Sequence, residues 1–282
     1  MDLAPLFAVD AHHINHLMIT STRNPKVQHV RALLARSKAR RETQTFVVEG
    51  VRLIEESQRA EVRPILIFFT KELSTRGERL RAELTNSDVE MHEVSPDVML
   101  AASDTQSPQG LLAVLPILEL PVPDNDDFVL ILDNVRDPGN AGTMLRTAAA
   151  AGVTSVILTP GCVDVYAPKV VRAAMGAHFH LSIRIRAWEV LEDELDSARD
   201  QKGTQVYLAD AHEGDVYTQI DYRGPTAIIV GGEAQGAGEE ALELMNARIR
   251  IPMLRHTESL NTGIATGVLL FEVLRQRSSD QI

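Results

Sequence analysis

The chain has 282 residues, 44% of them hydrophobic and 24% charged, values that suit two modest folded domains and exclude an extended disordered chain. Its 28 basic and 39 acidic residues leave a net charge of −11, which argues against a surface that binds polyanions everywhere and leaves only a local basic patch for nucleic acid. A lone cysteine, Cys162, excludes an internal disulfide and a cysteine-rich zinc site, so no metal is expected and a reducing cytoplasm fits.

The first seventeen residues carry no Lys or Arg and no long apolar run, unlike a secretory signal, and no segment reaches the roughly 18 apolar residues of a membrane span. Residues 1–18 read as a flexible extension, with Met18 available as an alternative start. Helix and strand then alternate. Val27, Val30, Leu33 and Leu34 set helical spacing over residues 25–38, followed by a strand at 45–48 and a helix at 51–60. A buried strand at 65–69, a helix at 76–84 and a half-buried strand at 89–94 come next. Ser95, Pro96 and Asp97 have the order of a cap, a first-turn proline and an early acid. A strand at 110–115 closes an α/β unit spanning 19–118.

Pro121, Pro123 and the run Asp124-Asn125-Asp126-Asp127 mark a linker over 119–127. From 128 to 282 the alternation restarts with continuously apolar strands at 128–132, 156–158, 206–208 and 227–230. Helical stretches at 141–151, 188–199, 239–245 and 261–275 fall among and after them. Apolar strands separated by helices imply a mainly parallel sheet covered on both faces.

Charge is uneven. Between Thr20 and Arg41 lie seven basic residues (Arg23, Lys26, Arg31, Arg36, Lys38, Arg40 and Arg41) and no acid. A solvated helix face and a phosphate-tracking patch both account for that run. On the second reading Arg23, Lys26, Arg40 and Arg41 contact RNA. Aromatics at 4% make base stacking a minor term, which favours folded RNA over free single strands.

In open α/β sheets, ligands bind beyond the carboxyl ends of the strands. Three loops there are rich in Gly, Asn, Ser and Glu, and none contains GxxxxGK[ST] or GxGxxG. The first reads Asp133-Asn134-Val135-Arg136-Asp137-Pro138-Gly139-Asn140, with Asn140 suited to cap the alanine-rich helix that follows. Arg146 is that helix's one charged side chain, and a substrate phosphate is a plausible anion for it. The second loop reads Gly231-Gly232-Glu233-Ala234-Gln235-Gly236, where paired glycines allow close backbone approach and Glu233 offers a carboxylate. The third runs from Leu254 through Ser259-Leu260-Asn261 to Thr262-Gly263-Ile264-Ala265-Thr266-Gly267, its small residues implying a tightly packed helix start. No GxSxG surrounds Ser259, so it is not a hydrolase nucleophile.

Asn140…Arg146, Gly231-Gly232-Glu233…Gly236, and Ile251-Pro252-Met253 followed by Ser259-Leu260-Asn261 together resemble the three motifs of the SpoU/TrmH family of SPOUT methyltransferases. The segment from Val171-Arg172-Ala173 to His178-Phe179 is similar to that family's middle segment, and the first unit to its small ribosomal-protein-like RNA-binding domain. The resemblance implies an α/β trefoil-knot domain, a homodimer, and an S-adenosylmethionine-dependent enzyme that methylates a ribose 2′-hydroxyl, in ribosomal RNA ahead of transfer RNA. It also implies that Asn140, Arg146, Glu233, Ser259 and Asn261 form the polar catalytic set. Leu208, Gly231, Gly232, Gly236, Ile251, Met253 and Leu260 would hold the cofactor, and Arg172 would join the RNA contacts. A guanidinium keeps its charge across the working pH range, so Arg146 is read as a phosphate clamp rather than a base. A non-catalytic RNA-binding protein is the rival, and the intact polar set speaks against it. Two departures touch the pocket wall: Thr262-Gly263-Ile264-Ala265 where Val-Ser-Val-Ala is frequent, and Gly232 where Asn or Ala is frequent.

Overall fold

Arg40 decides how the amino-terminal helices are laid out. The sequence predicts one helix over 25–38, but α1 (Pro25–Ala35), capped by Asn24, stops where Arg36 adopts extended backbone with φ −132° and ψ 119°. A second helix, α2 (Ser37–Thr43), starts at once and turns Arg40 inward, 4% exposed, to donate to the carbonyls of Leu33 and Leu34 at the end of α1. Those carbonyls have no partner within their own helix, so a buried cation is satisfied and a helix end is closed together. This corrects the expectation that Arg40 faces RNA. Lys26 is half-buried and paired with Glu90, whereas Arg23, Arg31, Arg36, Lys38 and Arg41 are exposed.

The computed structural model describes residues 17–85, 89–233, 236–255 and 257–279. The extension expected over 1–18 lies outside the described residues except for Leu17 and Met18, as do Ala234, Gln235 and His256 of the predicted loops. The chain divides into two units between Ile117 and Leu118. In the first, β1 (Thr45–Glu49), α3 (Val51–Arg59), β2 (Leu66–Phe69), α4 (Thr75–Thr85), β3 (Glu90–Glu93), α5 (Pro96–Ala101) and β4 (Leu111–Pro116) complete the set. The sheet order is β1-β4-β2-β3, with β4 antiparallel to both β1 and β2 and β3 parallel to β2. Val27, Val30 and Leu33 of α1 pack on Val47, Phe68 and Val114 from three of those strands.

The second unit begins with β5 (Phe128–Asp133), α6 (Pro138–Ala151), β6 (Ser155–Leu158), α7 (Pro168–Ala174), β7 (Ser182–Ile185) and α8 (Trp188–Lys202). It continues with β8 (Gln205–Asp210), β9 (Asp215–Val216), β10 (Thr226–Gly231), α9 (Glu239–Leu244), β11 (Ala247–Arg250) and α10 (Thr262–Ser279). All neighbours in the sheet β7-β6-β5-β10-β8-β11-β9 are parallel. Side chains alternate between faces, which is why the strands read as unbroken apolar runs. Leu130, Leu132 and Ile228 meet Leu145, Val170 and Leu269 of α6, α7 and α10, while Val129, Ile131 and Ile229 meet Leu191, Leu195 and Leu244 of α8 and α9. The expected mainly parallel sheet is present, together with three short elements the sequence reading passed over, α7, β7 and β9. No helix among the described residues is long and apolar enough to cross a membrane.

Candidate active site

Winding reverses between β5 and β10: β6 and β7 lie to one side of β5, while β8 and β11 lie beyond β10. Such a switch point opens a crevice at the strand ends. Ile251 and Met253, just after β11, and Ser259, Leu260 and Asn261, just before α10, wall the crevice, and Asn261 meets Asn140 of α6.

The first loop departs from its expected capping. Asp137, not Asn140, is the N-cap of α6, its Oδ1 accepting the Asn140 amide at 2.8 Å. The helix therefore begins earlier, at Pro138, and Asn140 enters its first turn with a free side chain. Its Nδ2 donates to Glu233 Oε1 at 2.6 Å, and its Oδ1 accepts from Asn261 Nδ2 at 2.9 Å. A carboxylate only accepts, so Glu233 fixes which way the Asn140 amide points and leaves the oxygen for Asn261. Asn261 in turn caps α10, its Oδ1 accepting the Ile264 amide at 3.2 Å. Three loops thus converge on one carboxamide.

Asp133, a residue without an assigned role in the sequence reading, braces the same convergence. Its carboxylate is 3% exposed, accepting Thr159 Oγ1 at 2.9 Å and the Gly238 amide at 2.7 Å. An acid closing an otherwise apolar strand was the available signal. Gly232 is dictated by how close the loops come, because a Cβ there would lie 2.3 Å from the Asn134 carbonyl oxygen. At Gly231 a Cβ would lie 2.4 Å from the Ala237 nitrogen. One departure from the family pattern therefore has a local cause, because Gly232 admits the first loop. At Gly263 a Cβ would lie 3.3 Å from Thr143 of α6, a contact a small shift accommodates, and nothing in the structure explains that departure.

These loops enclose a cleft of about 690 Å³. All seven residues expected to hold a cofactor line it: Leu208, Gly231, Gly232 and Gly236 on one side, Ile251, Met253 and Leu260 on the other. Glu233, Ser259 and Asn261 also line it. Asp210, His212 and Arg248 add a polar rim, with Asp210 Oδ1 accepting the amides of His212 and Glu213 at 2.8 and 2.9 Å. Arg146 is exposed, about 9 Å along α6 from Asn140 at 1.5 Å per residue, and meets no side-chain partner among the described residues. Arg172 is half-buried on α7, and the remaining expected RNA contacts belong to the first unit. Cys162 is no nucleophile: burial pushes its thiol up, and its Sγ donates to the Leu132 carbonyl. Among the described residues no three His, Cys, Asp or Glu side chains form a metal-ligand group.

Residues 127–271 match the SpoU rRNA Methylase family, and residues 24–113 match the MRM3-like substrate binding domain. The 23S rRNA (guanosine(2553)-2′-O)-methyltransferase RlmP of Bacillus subtilis is 33% identical over 90% of this chain and 98% of its own length. The mitochondrial rRNA methyltransferase 3 of Mus musculus is 32% identical over 86% of this chain and 70% of its own. Among solved structures, the SpoU methyltransferase AviRb from Streptomyces viridochromogenes, in complex with the cofactor AdoMet, superposes with a TM-score of 0.83 at 28% identity. That superposition covers 91% of this chain and 99% of the other.

Proposed function

The chain belongs to the SpoU rRNA methylase family, and from that premise we propose that it transfers a methyl group from S-adenosylmethionine to a ribose 2′-hydroxyl of ribosomal RNA, in the cytoplasm. The observation that carries this reading is the Glu233–Asn140–Asn261 chain on the rim of a cleft floored by glycine backbone.

The cleft suits the cofactor. Its volume falls in the range of about 300–1,000 Å³ that encloses nucleoside-sized ligands. Leu208, Ile251 and Leu260 offer apolar walls for a purine, and Gly231 and Gly232 line the cleft between them. The bound cofactor supplies an electrophilic methyl group on a sulfonium. What falls to this chain is positioning. Glu233 orients Asn140, Asn140 orients Asn261, and the braced loops hold Ser259 beside them at the mouth of the cleft. Arg146, exposed and without an acid, clamps a phosphate of the substrate strand so that the sugar lies over this set.

A second copy of the chain completes the reading. Ile264 and Phe271, seven positions apart on one face of α10, are 57% and 47% exposed, which supports a homodimer covering that face. β11 lies beyond β8 and β10 in the sheet, yet Asn261 after it meets Asn140 at the start of α6, which supports the trefoil-knot topology.

Heat protection by S-adenosylmethionine and mapping of 2′-O-methyl riboses in rRNA from cells with and without the gene test the proposal. A rise in melting temperature and one lost ribose methylation are expected. No shift at saturating cofactor, or a loss confined to tRNA, would overturn it.

A further inference from the structure

The first loop and the segment after β6 are zipped together along the rim of the sheet. The Val163 amide donates to the Val135 carbonyl at 2.9 Å, and a Cβ on Gly161 would meet Asn134 Oδ1 at 2.6 Å. Gly142 of α6 lets α7 come so near that a Cβ would meet Ala173 Cβ at 2.4 Å and the Val170 oxygen at 2.7 Å.

Three cations stand on this seam. Arg136 directly follows Val135, Lys169 directly precedes Val170, and Arg146 lies one helical turn beyond Gly142 on the same stripe of α6. All three are exposed, and none meets a carboxylate within ion-pair distance among the described residues. Arg136 donates its Nε to Asn134 Oδ1 at 3.0 Å, which steadies the guanidinium and leaves its two terminal nitrogens for another partner. Several other cations of the unit do hold acids: Arg184 and Arg186 share Glu194, Arg199 holds Asp196, Arg223 holds Asp221 and Arg277 holds Asp127. The seam's own acids are engaged, Asp137 accepting the Asn140 amide and Asp164 the Tyr166 amide. In a chain of net charge −11, a ridge of exposed cations without acids offers a local site for an outside polyanion.

We propose that Arg136, just before α6, and Lys169, on α7, bind backbone phosphates of the RNA strand along this seam and so set which ribose stops at the catalytic amide. The proposal rests on the 2′-O-methylation reading and names the strand's path through the catalytic unit. Arg136 would grip a phosphate with its terminal nitrogens, and Lys169 would act as a point charge.

The test is filter binding of in vitro transcribed 23S rRNA to the full-length protein across a salt series, with cofactor affinity measured calorimetrically on the same samples. Arg136→Ala and Lys169→Ala should each flatten the slope of log Kd against log salt by about 1, and the double variant by about 2. Arg136→Lys should restore that slope, and Arg223→Ala, whose partner is Asp221, should leave it unchanged. Cofactor affinity should hold throughout. Wild-type slopes in both alanine variants, beside a wild-type protein that binds and methylates rRNA, would overturn the seam alone. A wild-type protein that binds the cofactor but no RNA would overturn the underlying reading and the seam with it.

Discussion

Asn261 reaches back across 121 positions of sequence to donate to Asn140 at 2.9 Å, and Asn140 passes the constraint on to Glu233. Groups chained through one carboxamide act as a unit, so their substitutions are not additive. Asn140→Ala should lower kcat by at least about tenfold, corresponding to roughly 1.4 kcal/mol of transition-state stabilisation. Adding Asn261→Ala should cost little more. Single-turnover methylation of rRNA by both single variants and the double variant gives the coupling. Fully additive losses would show that the two amides work separately.

Gly232 is a packing constraint before it is a ligand contact. With the Asn134 carbonyl oxygen 2.3 Å from the position of a Cβ, Gly232→Ala forces the first and second loops apart. Overpacking of this kind typically costs about 1–3 kcal/mol. Gly224→Ala, whose Cβ meets nothing within 4 Å, should be neutral or stabilising by a few tenths of a kcal/mol to about 1. Urea melts of the two variants settle the point, and equal midpoints would refute the clash.

Arg40 and Arg41 are neighbours in sequence with opposite tasks. Arg40→Ala leaves the carbonyls of Leu33 and Leu34 without their buried donor and should destabilise the protein by about 1–3 kcal/mol, with the salt slope of RNA binding unchanged. Arg41 is exposed, and Arg41→Ala should show the reverse: unaltered stability and a slope reduced by about 1. A slope change in Arg40→Ala at full stability would return Arg40 to the RNA-facing set.

What sequence conveyed here follows from the range of each signal. Apolar runs announced the parallel sheet because Leu130 and Ile131 point to opposite faces and both must be apolar. Ser95 caps α5 as its local pattern predicts, since a cap involves residues three apart. The amide pair of Asn140 and Asn261 was reachable only through family resemblance, because nothing local joins loops so distant in sequence. The strand Ser182–Ile185 alternates polar and apolar side chains over too few residues to stand out. Arg40 shows the limit of composition: seven cations without an acid look like one surface, and only the break at Arg36 reveals that Arg40 is buried and structural.

His178 makes stability depend on pH in a predictable window. Burial pushes its pKa down to about 4, outweighing the upward pull of the Val165 carbonyl, which accepts from Nε2 at 2.7 Å. In the unfolded chain the imidazole titrates near 6.5. Between these values the unfolded state binds the extra proton, so stability is complete above about 6.5 and falls as pH drops toward 4. Below 4 both states are protonated and the loss stops growing, at on the order of 3 kcal/mol from this one side chain. His178→Gln keeps an amide donor for Val165 but cannot titrate. Urea melts at pH 7, 5.5 and 4.5 should therefore show wild-type protein losing stability faster than His178→Gln, the carboxylates contributing equally to both. Parallel losses would mean that His178 is not buried as a neutral imidazole.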